Sequence, residues 1–347
     1  MQVLDAAVDA CGGKIAFEIY PGGANTYLET GNALPEATLA GCMAADAVLH
    51  GAAGLPDVNY PDGTEAGQDF SMKMRARLDL YANIRPVKSL PGVEPVLTTK
   101  YARSIDYVIV RENTEGLYAA RAGGNIVRDE IATDTTVITR RGVERVCRKA
   151  AELALARDGA RGDGKHRVTI VDKANVLRSY AFFRKVALEV LESYAGLEVD
   201  CVLVDAAAAL MVQAPERFDV MVTENIFGDI LSDLGAATVG GLGIAASAEI
   251  GDTYGYFQAI HGSAPSLANR NVANPIATIL SGAQMLDWLA IRKNSPELAE
   301  AAAEIKRSVE AVVASREFVT VDLGGTSSTR ACTEAIIRGI GQRAVLV

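Results

Sequence analysis

The chain has 347 residues, 49% of them hydrophobic and 22% charged, enough for about two domains and a large core, which excludes a disordered or collagen-like chain. A net charge of −9 without a basic run lacks the electrostatic footprint of a nucleic-acid binder, and the longest uncharged stretch, Leu234 to Ala248, is Gly-broken and too short for a membrane span of ~20 residues. Five scattered cysteines with no CxxC pair, and an opening MQVLDAAVDACGG with no basic segment before an apolar one, predict reduced thiols in a cytoplasmic protein.

Short apolar runs alternate with longer amphipathic segments, which predicts an α/β protein. In chain order, KIAFEIY from Lys14 reads as a strand, Glu36 to Ala45 as a helix, and DAVLHG from Asp46 and DYVIVRE from Asp106 as strands. The polar, β-branched segment from Tyr118 to Arg140 reads as a hairpin or arm able to pair with another subunit. A helix over Gly142 to Arg157, the strand RVTIVDK from Arg167 and a helix over Ser179 to Tyr194 follow. EVDCVLVD from Glu198 and DVMVTEN from Asp219 read as strands, and Ile226 to Ala237 and Pro296 to Ala314 as helices, the last opened by Pro296 after Ser295. No repeat or low-complexity linker divides the chain, so interleaved domains are expected.

No GxGxxG occurs. Gly159 to Lys165 fits GxxxxGK, but His166 replaces the magnesium-holding hydroxyl and the motif precedes a strand, so it reads as a surface turn. The three histidines are too scattered for a zinc site. The strongest signal is NIFGDILSDL, Asn225 to Leu234, whose Asp229 and Asp233 fall four apart on one helix face. Two carboxylates so placed repel each other unless a cation lies between them, and hard oxygen ligands suit Mg²⁺ or Mn²⁺. Arg75, Arg85 and Arg111 stand near helix or strand ends in an acidic chain, where they could clamp carboxylates. Lys173 ends a strand, where α/β sheets place ligands, and HGSAP (His261 to Pro265) offers small residues for close backbone approach.

In this order the motifs resemble the β-decarboxylating dehydrogenases that act on isopropylmalate, isocitrate, homoisocitrate, tartrate and D-malate. The resemblance runs from GNALPEATL (Gly31 to Leu39) through Asn225 to Ile244 to the Pro275 region. It implies an isopropylmalate dehydrogenase-like two-domain α/β fold, with a central sheet lacking GxGxxG and an intersubunit arm at about 118–140. Residues 1–82 and 241–347 would form the cofactor-binding domain, and 83–240 the dimerisation and substrate–metal domain. Arg75, Arg85 and Arg111 would hold the carboxylates of a 2-hydroxy diacid, with Ser71 and Met72 in the specificity helix. Asp229 and Asp233, joined by Asp205 of the partner subunit, look like the metal ligands. Tyr118 and the partner's Lys173 look like the acid–base pair. Asn175 would stand near the nicotinamide, and His261, Gly262, Ser263, Ala264, Pro265, Ser266 and Asn274 would bind the adenosine. A homodimer with shared active sites follows from the resemblance.

Three departures from the family pattern shape the expectations. The family's first strand and Gly-rich loop have no counterpart before MQVLDAAVDA, so either translation starts upstream or a sheet edge and part of the cofactor site are missing, with low activity or stability expected. After HGSAP, Ser266-Leu267 matches neither the Asp of NAD users nor the Lys-Tyr of NADP users. NAD is favoured because only Arg270 could meet a 2′-phosphate, which leaves NADP open, and Gln258 stands where relatives often carry Glu. In QDFSMKMR, an ionised Asp69 facing a γ-carboxylate disfavours isocitrate, although Lys73 could offset it, so an isopropylmalate-type substrate is expected, with tartrate or D-malate next. A non-catalytic regulatory paralogue is the reading from another class, opposed by the presence of Tyr118, Lys173, Asp205, Asp229 and Asp233. A Mg²⁺ hydrolase would leave the three arginines and HGSAP unexplained.

Overall fold

The computed structural model describes residues 1–118 and 124–342. The first stretch carries α1 (Gln2–Ala10), α2 (Ala24–Thr30), α3 (Glu36–Ala44), the two-residue β1 (Val48–Leu49), α4 (Ala66–Arg77) and β2 (Ala82–Lys88). After β3 (Asp106–Glu112) comes a hairpin of β4 (Asn125–Val127) and β5 (Ile131–Thr133), then α5 (Arg140–Ala156), β6 (Arg167–Asp172), α6 (Arg178–Leu191) and β7 (Glu198–Leu203). The chain continues through α7 (Val204–Gln213), β8 (Val220–Thr223), α8 (Asn225–Val239), β9 (Ala246–Ile250) and β10 (Gly255–Ala259), and closes with α9 (Ile276–Lys293), α10 (Pro296–Ser315) and α11 (Thr329–Gly339).

Eight strands form one mixed sheet in the order β1-β10-β9-β2-β3-β8-β6-β7. The β3–β8–β6–β7 half is parallel. β6 is buried along its whole length and β3 over all but its first residue, so both sheet faces are covered, as parallel strands require. α5 packs with α6, and α7 with α8, against this half. Each fully buried Val or Ile there, such as Ile109, Val110 and Ile170, contributes about 1.5–3 kcal/mol of burial free energy. β2 is antiparallel to both neighbours, but β9 pairs with it only over Ala82–Ile84, which leaves the missing N–H of Pro86 outside that ladder. A smaller apolar cluster, including Phe70, Met74, Leu80 and Tyr256, anchors α4 beside the sheet.

The strands expected from Asp106, Arg167, Glu198 and Asp219 all form, as do the five expected helices to within three residues of their ends. Capping fixes several of these ends. Thr139 Oγ1 accepts from Gly142 N at 3.0 Å, Ser295 Oγ from Leu298 N at 3.4 Å, and Glu224 Oε1 from Phe227 N at 2.9 Å. KIAFEIY forms no strand. Ile15 and Phe17 pack on the core as its pattern predicts, but among the described residues no strand lies alongside to complete a ladder, and Ile19 is exposed. Within the expected arm, β4 and β5 form an exposed hairpin turned by Arg128 and Asp129, both at positive φ, as the type I′ geometry demands, while 119–123 lie outside the described residues. Among the described residues no helix is long and apolar enough to cross a membrane.

Candidate active site

The carboxyl ends of β3 and β8 open into a cleft of about 810 Å³, the size of a small-molecule site. α4 contributes Gln68, Ser71, Met72 and Arg75 to its wall, the i, i+3, i+4, i+7 face of that helix. Asp69 lies off this face. It accepts from Tyr60 Oη at 2.8 Å and pairs with Lys73 at 2.6 Å, so the expected repulsion of a γ-carboxylate by Asp69 is not built into the cleft.

The floor is made by arginines. Arg111, on β3, runs beneath Gly228 of α8, where an added Cβ would stand 2.6 Å from the Arg111 Cβ and Cγ, so only glycine admits the helix this close. Its Nε and Nη2 donate to Asn225 Oδ1 at 2.9 and 2.7 Å, and its Nη1 donates to Asp229 Oδ1. Arg85, on β2, donates from Nη1 to Ser232 Oγ at 2.6 Å and to Asp229 Oδ1 at 3.1 Å. Burial lowers both guanidinium pKa values, with Arg85 adding to the effect on Arg111, yet an arginine stays cationic at neutral pH. Arg75 lies buried at the same end.

Tyr118 Oη donates to Asp229 Oδ2 at 3.1 Å, and burial, then the Asp229 charge, raises the phenol pKa, so the hydroxyl keeps its proton at neutral pH. Against the upward push of burial, Arg111 and Arg85 hold the Asp229 carboxyl below its usual range. Asp233, one turn further on, has no hydrogen-bond or ion-pair partner among the described residues, and burial raises its pKa against Arg85, with Asp229 adding to the rise. Two carboxylates one turn apart, one of them unpartnered and disfavoured as an anion, make a donor pair that fits a hard divalent cation.

Asp205 and Lys173 stand elsewhere. Lys173, after β6, lies 2.6 Å from Asp205 Oδ1 at the start of α7, and neither lines the cleft. Asn175 is exposed beside Lys173. Among the described residues of one chain no three His, Cys, Asp or Glu side chains gather into a metal cluster. His261 to Pro265 line the cleft opposite α4, and around Gly262 an added Cβ would meet nothing within 4 Å, so a ligand can reach that main chain. Ser266 is exposed in a short 3₁₀ turn, with Arg270 Nη1 3.4 Å from its carbonyl. Asn274 lies just before α9, where its Oδ1 accepts from Ile276 N at 2.9 Å and its Nδ2 donates to Asp322 Oδ2 at 2.9 Å.

The structure adds residues that motif reading passed over. Asn225 orients Arg111, and Ser232, three residues after Asp229, shares Arg85 with it. His50 lines the cleft with its Nδ1 2.9 Å from Gln258 Oε1. Glu249 of β9 grips Arg75. Its signal was a lone carboxylate in the otherwise uncharged run AASAEIG.

The family model described as isocitrate/isopropylmalate dehydrogenase matches residues 1–337. A 3-isopropylmalate/3-methylmalate dehydrogenase of Methanocaldococcus jannaschii is 41% identical over 98% of this chain and 93% of its own length. An isocitrate/homoisocitrate dehydrogenase of Thermus thermophilus is 39% identical over 98% and 95%. The crystal structure of isocitrate dehydrogenase from Methylococcus capsulatus superposes with a TM-score of 0.85 at 35% identity, covering 98% of this chain and 96% of that one. That of a β-decarboxylating dehydrogenase from Thermococcus kodakarensis gives 0.75 at 35%, covering 98% and 92%. Sequence and backbone agree over nearly the full length, and the chain belongs to the isocitrate/isopropylmalate dehydrogenase family, oxidoreductases that act on a CH–OH group with decarboxylation.

Proposed function

We propose that the protein is an NAD- and Mg²⁺- or Mn²⁺-dependent oxidative decarboxylase of a 2-hydroxy diacid, 3-isopropylmalate-type, working as a homodimer. The observation that carries this reading is the meeting of Arg85, Arg111 and Tyr118 on one carboxylate, Asp229, in the cleft that His261 to Pro265 also line. The relative from M. jannaschii, named for 3-isopropylmalate and 3-methylmalate, supports the substrate class.

Arg85 and Arg111, with Arg75, hold the two substrate carboxylates. Because these side chains are buried and tied to Asn225, Ser232 and Asp229, they orient the substrate without having to be ordered when it enters. Asp229, Asp233 and the partner's Asp205 would hold a divalent cation, which would supply charge stabilisation at the substrate oxygens, and His261 to Pro265 would hold a nicotinamide cofactor, which would supply an acceptor for the hydride from C2. The hydroxyl proton passes to the partner's Lys173. After the carboxylate at C3 leaves as CO₂, Tyr118 gives its proton to that carbon. The burial of Tyr118, with the Asp229 carboxylate beside it, fits this role, because together they keep the phenol protonated until the proton is needed.

A second copy accounts for the pairing of Lys173 and Asp205 outside their own cleft. Exposed Val176, Leu177, Phe182, Val212 and Ile230 lie in the same region, on or next to α6, α7 and α8, an apolar surface suited to a partner. The test is a spectrophotometric panel of 3-isopropylmalate, isocitrate, tartrate and D-malate with Mn²⁺ and either NAD or NADP. The reading predicts NADH formation with a dicarboxylate, and no reduced cofactor with any of the four refutes it.

A further inference from the structure

Glu249 is the fourth of the five residues of β9 and is fully buried. Its Oε2 accepts from Arg75 Nε at 2.9 Å and its Oε1 from Arg75 Nη2 at 2.7 Å, a two-pronged grip. Asn113 Nδ2 donates to Oε2 at 3.0 Å, while Asn83 Nδ2 and Gln258 Nε2 donate to Oε1 at 3.3 and 2.7 Å. Against the push of burial, Arg75 brings the Glu249 pKa down to about 2, so the carboxylate is ionised throughout the working range. The remaining Arg75 nitrogen, Nη1, lies 3.7 Å from Met72 Sδ at the cleft wall. Arg75 therefore offers a ligand one nitrogen and no uncompensated charge. At this end of the cleft Arg75 has a carboxylate of its own, Glu249, whereas Arg85 and Arg111 share Asp229.

We propose that Glu249 is the positioning residue that sets the charge class of the substrate: by holding Arg75 from behind, it makes the site select a 2-hydroxy acid with two carboxylates over one with three. The inference rests on the diacid reading above and narrows it. A third substrate carboxylate would need a free cation, and Glu249 has already taken the one that α4 supplies. Gln258 is matched to this arrangement. Its amide donates to Glu249 while its oxygen faces His50 Nδ1, whereas a carboxylate at 258 would set two anions at that 2.7 Å contact.

The experiment measures calorimetric binding of D-malate and of isocitrate, each with Mn²⁺, to the full-length protein and to its Glu249→Gln, Gln258→Glu and doubly substituted forms. Melting temperatures and NADH formation are recorded on the same samples. The wild type is expected to prefer malate, and Glu249→Gln to shift the malate-to-isocitrate affinity ratio by about 10-fold towards isocitrate. Gln258→Glu is expected to lower the melting temperature, and adding Glu249→Gln to restore most of the loss. An unchanged ratio, no binding of either acid, or melting losses that merely add would overturn the proposal. The expected ratios without NADH formation would instead refute the decarboxylase reading and leave the role of Glu249 standing.

Discussion

Gly228→Ala would insert a methyl group 2.6 Å from the Arg111 Cβ and Cγ. Carbon atoms rest at about 3.5–4.0 Å, so the arginine stem or α8 must retreat by roughly 1 Å. The stem has little freedom, because Arg111 is 1% exposed and its guanidinium is fixed to Asn225 by bonds of 2.9 and 2.7 Å. Overpacking of this kind costs about 1–3 kcal/mol, and the better helix propensity of alanine returns about 1 kcal/mol. The net loss of about 1 kcal/mol lowers the melting temperature by only a few degrees, roughly 2–4 °C. The kinetic effect is expected to be far larger, since a 1 Å displacement of a substrate-orienting group costs on the order of 100-fold in kcat/KM. Gly235→Ala is the control. Its Cβ would meet Val87 Cγ2 at 2.7 Å on the same helix, an equal crowding that touches no arginine. Scanning calorimetry and steady-state kinetics on both variants decide the matter. Similar melting losses with a kcat/KM defect confined to Gly228→Ala are expected, and equal kinetics in the two variants would refute the placement of Arg111 in the substrate site.

Tyr118→Phe and Lys173→Gln are each expected to be nearly inactive. Mixed and refolded together in equal amounts they should regain about a quarter of wild-type activity, because half the dimers then carry one intact shared site. No recovery by NADH assay would argue for sites built within one chain. Asp229→Asn keeps one acceptor oxygen for the arginines and turns the Tyr118 contact into one donated by its amide nitrogen to the phenol oxygen, so it should fold and dimerise while its Mn²⁺-stimulated rate drops on the order of 10³-fold. A retained rate would remove Asp229 from the metal site. Glu249, whose folded pKa is depressed to about 2, contributes stability that is complete above its unfolded value near 4.5 and is lost as the pH falls towards about 2. Melting curves between those pH values should therefore fall less steeply in Glu249→Gln than in the wild type, and parallel slopes would contradict the buried ion pair.

Much of the parallel half-sheet is legible in the sequence because β3, β6 and β8 are continuous apolar runs that only burial on both faces can satisfy. Strands β2, β9 and β10 are not legible in the same way. ANIRPVK carries an arginine and a proline, and ASAEI and GYFQA are built largely of small or polar residues, so their strand state comes from their sheet neighbours. KIAFEIY shows the converse, an alternating pattern that no neighbouring strand completes. In the site, NIFGDILSDL announced its aspartates by helical spacing, and the arginines announced themselves by position. Which carboxylate Arg75 meets was hidden, because Arg75 and the Glu249 that holds it are 174 residues apart in the sequence.

The cleft also ties every one of its arginines to a carboxylate before anything enters it, Arg75 to Glu249 and both Arg85 and Arg111 to Asp229, inside a chain that carries nine surplus negative charges. Until a divalent cation is bound, an approaching dianion thus feels little attraction at a distance, and capture depends on contacts made after arrival. Without that cation the association rate should consequently respond weakly to ionic strength and stay well below the diffusion limit, so that selectivity is decided by how long an acid remains and not by how fast it is drawn in.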